Sequence, residues 1–267
     1  MKTVLVNKPI HPIALARLQE EVRVLTPYDA SYEGLLEMLP RVHGIILCAG
    51  LNMGVAEIEQ ARRLEVITRH GAGVDTVDLK AATQWGIPVL FTPHGPTEST
   101  AEHALMLILA VARRLPQLDR AVRSRDFDIR SRVVGRELER KRLGVVGFGR
   151  IGKRLAEMCR EGLHMQVYYY DPFVGSEVAR DYDATRVDDL VELASMVDFL
   201  SIHSPLTSQT RHLISREVIG AMKPGAILVN TSRGPVVDEA ALIEALQSGH
   251  LGGAGPVSYT HLRAHET

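Results

Sequence analysis

Short apolar or β-branched clusters recur along the first part of the chain at Val4–Val6, Val22–Leu25, Ile45–Leu47, Val66–Thr68 and Val89–Phe91, about 22 residues from centre to centre. Between them lie segments with helical spacing, such as Ile13, Leu15 and Leu18, or Leu35, Leu36 and Leu39. Strands joined by helical crossovers of that length must run parallel. The first hundred or so residues are therefore predicted to form a doubly wound α/β unit. A second series begins at Leu143–Val146 and continues with Val167–Tyr170, Phe199–Ile202 and Ile227–Val229, so a second parallel sheet is expected. Between the two arrays, Ser99 to Leu115 reads as one long helix. Thr97 or Ser99 is available as its N-cap, Glu102 falls in its first turn, and Arg113 and Arg114 lie near its end, charges that suit the helix dipole. The expectation is α/β throughout, in two domains with a small-molecule cleft.

Composition removes several classes of function. The 267 residues carry 31 basic and 32 acidic side chains, a net charge of −1, with 45% hydrophobic and 24% charged residues. Those are globular proportions, with no global attraction to nucleic acid or to an anionic membrane. The longest apolar run, Ala104 to Ala112, is nine residues, far short of a bilayer span. Cys48 and Cys159 stand apart without ligand spacing, which argues against a disulfide scaffold or a cysteine zinc site and fits a cytoplasmic protein; no metal is expected. From Arg113 to Arg142 eleven Lys or Arg face five Asp or Glu, a local excess of +6. That arm reads either as an anion-binding segment or as a solvated connector whose arginines are spread among carboxylates.

The chemistry begins at Gly144-Val145-Val146-Gly147-Phe148-Gly149-Arg150-Ile151-Gly152, a G-x-G-x-x-G that follows an apolar strand and opens a helix expected over Lys153 to Arg160. In that context Gly147 permits a tight turn, Gly149 lets backbone approach a pyrophosphate, and Gly152 allows close packing of helix on strand. The free amides of the helix start, through Phe148, Arg150 and Ile151, face the anion. Asp171 ends the next strand, nineteen residues after Gly152. A carboxylate there accepts from both ribose hydroxyls and repels a 2′-phosphate, so NAD is favoured over NADP. His203 and Pro205 leave one later strand, and Thr231, Ser232 and Arg233 leave another, at the carboxyl ends where open α/β sheets bind ligands. His203 reads equally as a cofactor contact or as a hydrogen-bonded structural histidine. Arg233 offers a planar guanidinium that can hold a carboxylate and polarise a carbonyl.

Taken together, Arg69-His70-Gly71-Ala72-Gly73-Val74-Asp75 with Asp78, Thr100-Ala101-Glu102-His103, Gly144 to Gly152, His203-Ser204-Pro205-Leu206-Thr207, and Asn230 to Gly234 with Val237-Asp238 make the chain resemble the D-isomer-specific 2-hydroxyacid dehydrogenase family from about residue 1 to Gly255. The resemblance implies a flavodoxin-like substrate-binding domain (1–98), a Rossmann NAD-binding domain (99–255), and hydride transfer between NAD and C2 of a small 2-hydroxy or 2-oxo acid of the phosphoglycerate or hydroxypyruvate kind. Gly71, Ala72 and Gly73 would bind the substrate carboxylate, Thr100 would lie near the nicotinamide, and Arg233 would match the catalytic arginine. A homodimer is implied through the long helix and the arm after it.

The match ends at Gly255. The family pattern would continue with a strand, a Glu-Pro turn and a later Pro-His, supplying a glutamate-tuned histidine as acid/base; Pro256 to Thr267 contain none of these in place. Residues 256–267 are therefore read as a non-native tail, the second domain as incomplete, and the 267-residue chain as an inactive fragment of the enzyme. No role is carried onto His261, His265 or Glu266, and the i, i+4 spacing of the two histidines is read as tail sequence, not a metal site. The alternative reading is an NAD-binding interaction module without catalysis, similar to the family's corepressor relatives.

Overall fold

The computed structural model describes residues 1–256. The chain divides into two compact units at Pro96 and Thr97. In the first, strands β1 (Thr3–Val6), β2 (Arg23–Leu25), β3 (Gly44–Leu47), β4 (Val66–Arg69) and β5 (Val89–Phe91) form one parallel sheet in the order β2-β1-β3-β4-β5. This is the flavodoxin-like order, with the reversal between β1 and β3. Leu5, Ile45, Leu47 and Ile67 point from the sheet into a core with Leu39, Met53 and Ile58. Side-chain caps set where the crossover helices start. The Asp78 carboxylate accepts the Ala81 amide at 2.9 Å to open Leu79–Gln84, and Gly86, at φ +66°, ends that turn.

In the second unit the helix Thr97–Ala112 precedes six parallel strands, β6 (Arg142–Val146), β7 (Gln166–Tyr170), β8 (Ala184–Arg186), β9 (Phe199–Ile202), β10 (Ile227–Asn230) and β11 (Gly253–Pro256). Their order is β11-β10-β9-β6-β7-β8. Counted within the unit this is the Rossmann arrangement, and it reverses between β6 and β9, beside the glycine turn. Both faces of the sheet are covered, Val146, Leu200, Ile202 and Leu228 packing on one side and Val145, Val167, Phe199 and Val229 on the other. Strands buried on both faces need no polar alternation, and β6, β9 and β10 show none.

Two local expectations are corrected and one open choice is narrowed. The long helix runs from Thr97 to Ala112, not Ser99 to Leu115, so Glu98 is the acidic residue of its first turn and Arg113 and Arg114 lie just beyond its end. The reason is Pro116: without an amide it cannot donate to the Ala112 carbonyl, which instead accepts the Arg136 amide at 2.8 Å. Arg114 turns left-handed at φ +55° and a new helix, Leu115–Arg123, starts with the proline in its first turn. The glycine-turn helix is longer than expected, Arg150–Leu163. Finally, the arm to Arg142 contains that new helix and the short Ile129–Arg132. Ion pairs Arg123–Asp119 and Arg132–Asp126 run along it, the pattern of a solvated connector.

Pro256 pairs in register with Asn230 at the end of β11. Residues 257–267, on which the expected tail and the pair His261 and His265 fall, lie outside the described residues. Among the described residues no helix is long and apolar enough to cross a membrane, and no cluster of three metal-ligating side chains occurs.

Candidate cofactor and substrate site

The carboxyl ends of β6, β7, β9 and β10 bring most of the expected cofactor residues of the second unit together. At Gly147, φ is +90°, and a Cβ there would lie 2.7 Å from the Ser204 amide nitrogen, so only glycine lets the end of β9 approach the turn. A Cβ on Gly152 would lie 2.3 Å from the Gly147 carbonyl oxygen, whereas Gly149 faces open space. Close packing is thus built under the turn and room is left above it. The first amides of Arg150–Leu163 have no partner within the helix by geometry, and Arg150 itself is exposed.

Phe148 contributes through its backbone. Its ring is fully buried and stacked on Tyr169 at 4.2 Å, while its amide donates to Asp171 Oδ2 at 2.8 Å. Asp171 Oδ1 accepts the Phe173 amide, also at 2.8 Å. Each carboxylate oxygen keeps one lone pair for a further donor, which is what a ribose diol requires. Thr100 lies in the first turn of Thr97–Ala112, a turn held against the glycine-turn helix by a two-point ion pair of Glu98 with Arg154 at 2.8 and 2.9 Å.

His203 bridges β9 and β10. Its Nε2 meets Ser201 Oγ at 2.9 Å and its Nδ1 meets Thr231 Oγ1 at 3.0 Å. Desolvation lowers its pKa to about 4, so the imidazole is neutral at neutral pH, with one ring nitrogen donating and the other accepting. Pro205 follows on the exposed turn. Beyond β10 the turn carrying Thr231, Ser232 and Arg233 is folded around the buried side chain of Asn230, whose Oδ1 accepts from the Ser232 amide and hydroxyl, both at 2.9 Å, and whose Nδ2 donates to the Arg233 carbonyl at 2.9 Å. Arg233 is half-buried there. Asn230 was not singled out from the sequence; a polar residue closing an apolar strand ahead of an arginine was the available signal.

In the first unit Gly71, Ala72 and Gly73 form the turn after β4. Gly71 has φ +141° and exchanges hydrogen bonds with Thr92, its amide reaching the hydroxyl at 3.0 Å. Arg69 ties the turn down, donating from Nε to the Gly73 carbonyl at 3.1 Å and from Nη1 to the carbonyls of Leu47 and His70 at 2.9 and 2.7 Å. The amides of Ala72 and Gly73 donate to nothing among the described residues. Arg69 stood in the sequence pattern without a role.

This arrangement has known counterparts. Residues 105–257 match the D-isomer specific 2-hydroxyacid dehydrogenase, NAD binding domain. The chain is 39% identical over 251 residues to a D-3-phosphoglycerate dehydrogenase of Methanocaldococcus jannaschii and 41% identical over 254 residues to that of Archaeoglobus fulgidus. Those alignments cover 94% of this chain but only 48% and 47% of the relatives, so the chain spans about half the length of the curated relatives it matches. Among solved structures, D-lactate dehydrogenase from Aquifex aeolicus complexed with NAD and lactic acid aligns with a TM-score of 0.86 and 30% identity over 97% of this chain and 78% of that one. D-mandelate dehydrogenase of Rhodotorula graminis aligns with a TM-score of 0.86 and 32% identity over 99% and 84%.

The chain belongs to the D-isomer specific 2-hydroxyacid dehydrogenase family. Its second unit carries that family's NAD binding domain, and NAD is its cofactor. The residues present fit the group: the space over Gly149, into which a Cβ would project unopposed, matches the approach of a pyrophosphate, and the Asp171 carboxylate keeps acceptor capacity for two hydroxyls.

Proposed function

We propose that this chain is the cofactor- and substrate-holding part of an oxidoreductase acting on a small D-2-hydroxy or 2-oxo acid of the phosphoglycerate or hydroxypyruvate kind. The observation that carries the reading is the pair of sites at strand ends: a glycine turn locked to Asp171 in one unit, and in the other a turn whose Ala72 and Gly73 amides are left without partners. NAD, when bound, supplies or takes up the hydride. The chain's own residues do the rest. The amides of the turn Gly71 to Gly73 hold the substrate carboxylate, as backbone donors do for anions. Arg233, on a turn stiffened by Asn230, polarises the C2 oxygen. Asp171 holds the ribose, Gly147, Gly149, Arg150, Ile151 and Gly152 hold the pyrophosphate, with the Phe148 amide placing Asp171. Thr100, Pro205, Thr231 and Ser232 border the cofactor, and His203 braces the last two through the Thr231 hydroxyl. No histidine or glutamate of this chain is assigned the acid/base role.

A homodimer in a cytoplasmic setting completes the reading. Leu115, Val122, Phe127 and Val134 along the arm are 55%, 53%, 64% and 84% exposed, an apolar series that a second copy would cover.

The test is to titrate the purified chain with NADH and to assay the intact enzyme that contains it against phosphohydroxypyruvate, hydroxypyruvate, glyoxylate and pyruvate. In the intact enzyme Arg233→Ala is expected to leave NADH affinity unchanged and to lower kcat/KM at least about a hundredfold. Wild-type kinetics in that variant would remove Arg233 from the site. An intact protein that binds NADH but turns over none of the four acids would favour the non-catalytic NAD-binding module.

A further inference from the structure

The sheet of the first unit reverses between β1 and β3, and the crevice outside such a reversal is where open α/β sheets receive ligands. The chain is bolted together at that point. Asn7 follows β1 and is buried; its Oδ1 accepts the Cys48 amide at 2.7 Å and its Nδ2 donates to the Ala49 carbonyl at 3.0 Å. The segments leaving β1 and β3 therefore hold one fixed geometry. On its other flank β3 is tied to the turn Gly71 to Gly73, since the Leu47 carbonyl accepts both the His70 amide and Arg69 Nη1 at 2.9 Å.

Lys8 is the next residue after the bolt, and it is exposed. An exposed lysine needs no explanation on its own; the path of this one does. Its Cε lies 3.6 Å from the place that a Cβ on Gly50 would occupy, so its stem crosses from the end of β1 onto the segment after β3. β4 lies on the far side of β3, and the crossing carries the charge toward the turn Gly71 to Gly73. Among the described residues the ammonium has no hydrogen-bond or ion-pair partner. The Cys48 thiol, against the Lys8 backbone, supplies no counter-charge, because burial pushes its pKa up. Neighbouring strands are about 4.8 Å apart. An anion on the Ala72 and Gly73 amides and a second anion over Gly50 would therefore be separated by about the length of a three-carbon acid charged at both ends.

Resting on the reading of that turn as the carboxylate site, we propose that Lys8 reads a second anionic group, a phosphate on C3 of the 2-oxo acid, and so sets the substrate class to phosphorylated acids. The test uses the intact enzyme that contains this chain, with phosphohydroxypyruvate and hydroxypyruvate, which differ only in the phosphate. Steady-state kinetics at saturating NADH are measured for wild type, Lys8→Met and Lys8→Arg. The methionine variant keeps most of the stem and removes the charge. It is expected to raise KM for phosphohydroxypyruvate roughly tenfold with kcat little changed, and to reduce the preference for the phosphorylated acid by the same factor. The arginine variant should keep that preference within about threefold of wild type, because the charge is retained. An unchanged preference in Lys8→Met overturns the proposal. So does an equal loss for both acids, which would mean that the residue holds the crevice and does not read the phosphate. A wild-type enzyme that reduces hydroxypyruvate as well as its phosphate ester also overturns it, and leaves the dehydrogenase reading intact. One that reduces neither acid strikes that reading, and the proposal with it.

Discussion

A Cβ on Gly152 would lie 2.3 Å from the carbonyl oxygen of Gly147 and 2.9 Å from Val145 Cγ1. Neither neighbour can yield, one being backbone and the other a core side chain of β6. Gly152→Ala is therefore expected to cost about 2 kcal/mol or more of stability and to weaken NADH binding. Gly162 stands in the same helix with nothing within 4 Å of its hypothetical Cβ. Gly162→Ala should stabilise the second unit by about 0.5–1 kcal/mol. Urea unfolding of the two variants side by side checks both signs, and equal behaviour would mean that the turn is looser than described.

Asp171 performs two tasks, so its replacements should separate them. Asp171→Ala removes the acceptor for the Phe148 and Phe173 amides together with the ribose contact, and NADH affinity is expected to fall by about ten- to a hundredfold. The same change removes the charge that repels a 2′-phosphate. The ratio of NADPH to NADH affinity should therefore rise. A competitive titration with both nucleotides reads this directly, and an unaltered ratio would dismiss Asp171 as the discriminating residue.

Burial of His203 links stability to pH. Its folded pKa, lowered by desolvation to about 4, lies below the ordinary value of about 6.5. Above the higher value the ring is neutral in both states and contributes no pH dependence. As pH falls through the window between the two values, the unfolded chain takes up the proton and the folded chain does not, so stability is lost until the folded pKa is reached. From pH 7 to 5.5 the expected loss is about 1 kcal/mol. His203→Gln should flatten that part of the curve, measured by unfolding midpoints at each pH. A slope that survives the substitution assigns the linkage elsewhere.

Arg69 holds three carbonyls that no other side chain of the first unit reaches in the same way. Arg69→Gln is expected to cost about 2 kcal/mol in that unit and to raise KM for the 2-oxo acid with NADH affinity unchanged. Loss of NADH binding instead would contradict a role confined to the substrate turn.

Nine of the eleven strands among the described residues are legible in the sequence, because each is an apolar or β-branched run bounded by polar segments. The other two are not. Ala184–Arg186 has no apolar run, and Gly253–Pro256 has no β-branched residue; both pair at the edges of a sheet whose centre is already specified. The glycine turn and Asp171 are legible because their function depends on local spacing. His203 is not, since whether it is a contact or a brace depends on Thr231, 28 residues later in the chain. For the same reason Arg69 carries no role in the linear pattern: its acceptor on Leu47 lies 22 residues earlier, brought alongside only when β3 and β4 pair.

Among the described residues each unit has buried apolar clusters of its own, one in the first unit and two in the second. Each unit thus contains its own reason to stay folded. A heating experiment on this protein should then resolve two overlapping heat-absorption peaks rather than one, with a calorimetric enthalpy larger than the van't Hoff value of a single step. NADH should move only the peak of the unit that holds Asp171. Melting, in other words, would sort the residues of this molecule into those that serve the nucleotide and those that serve the acid.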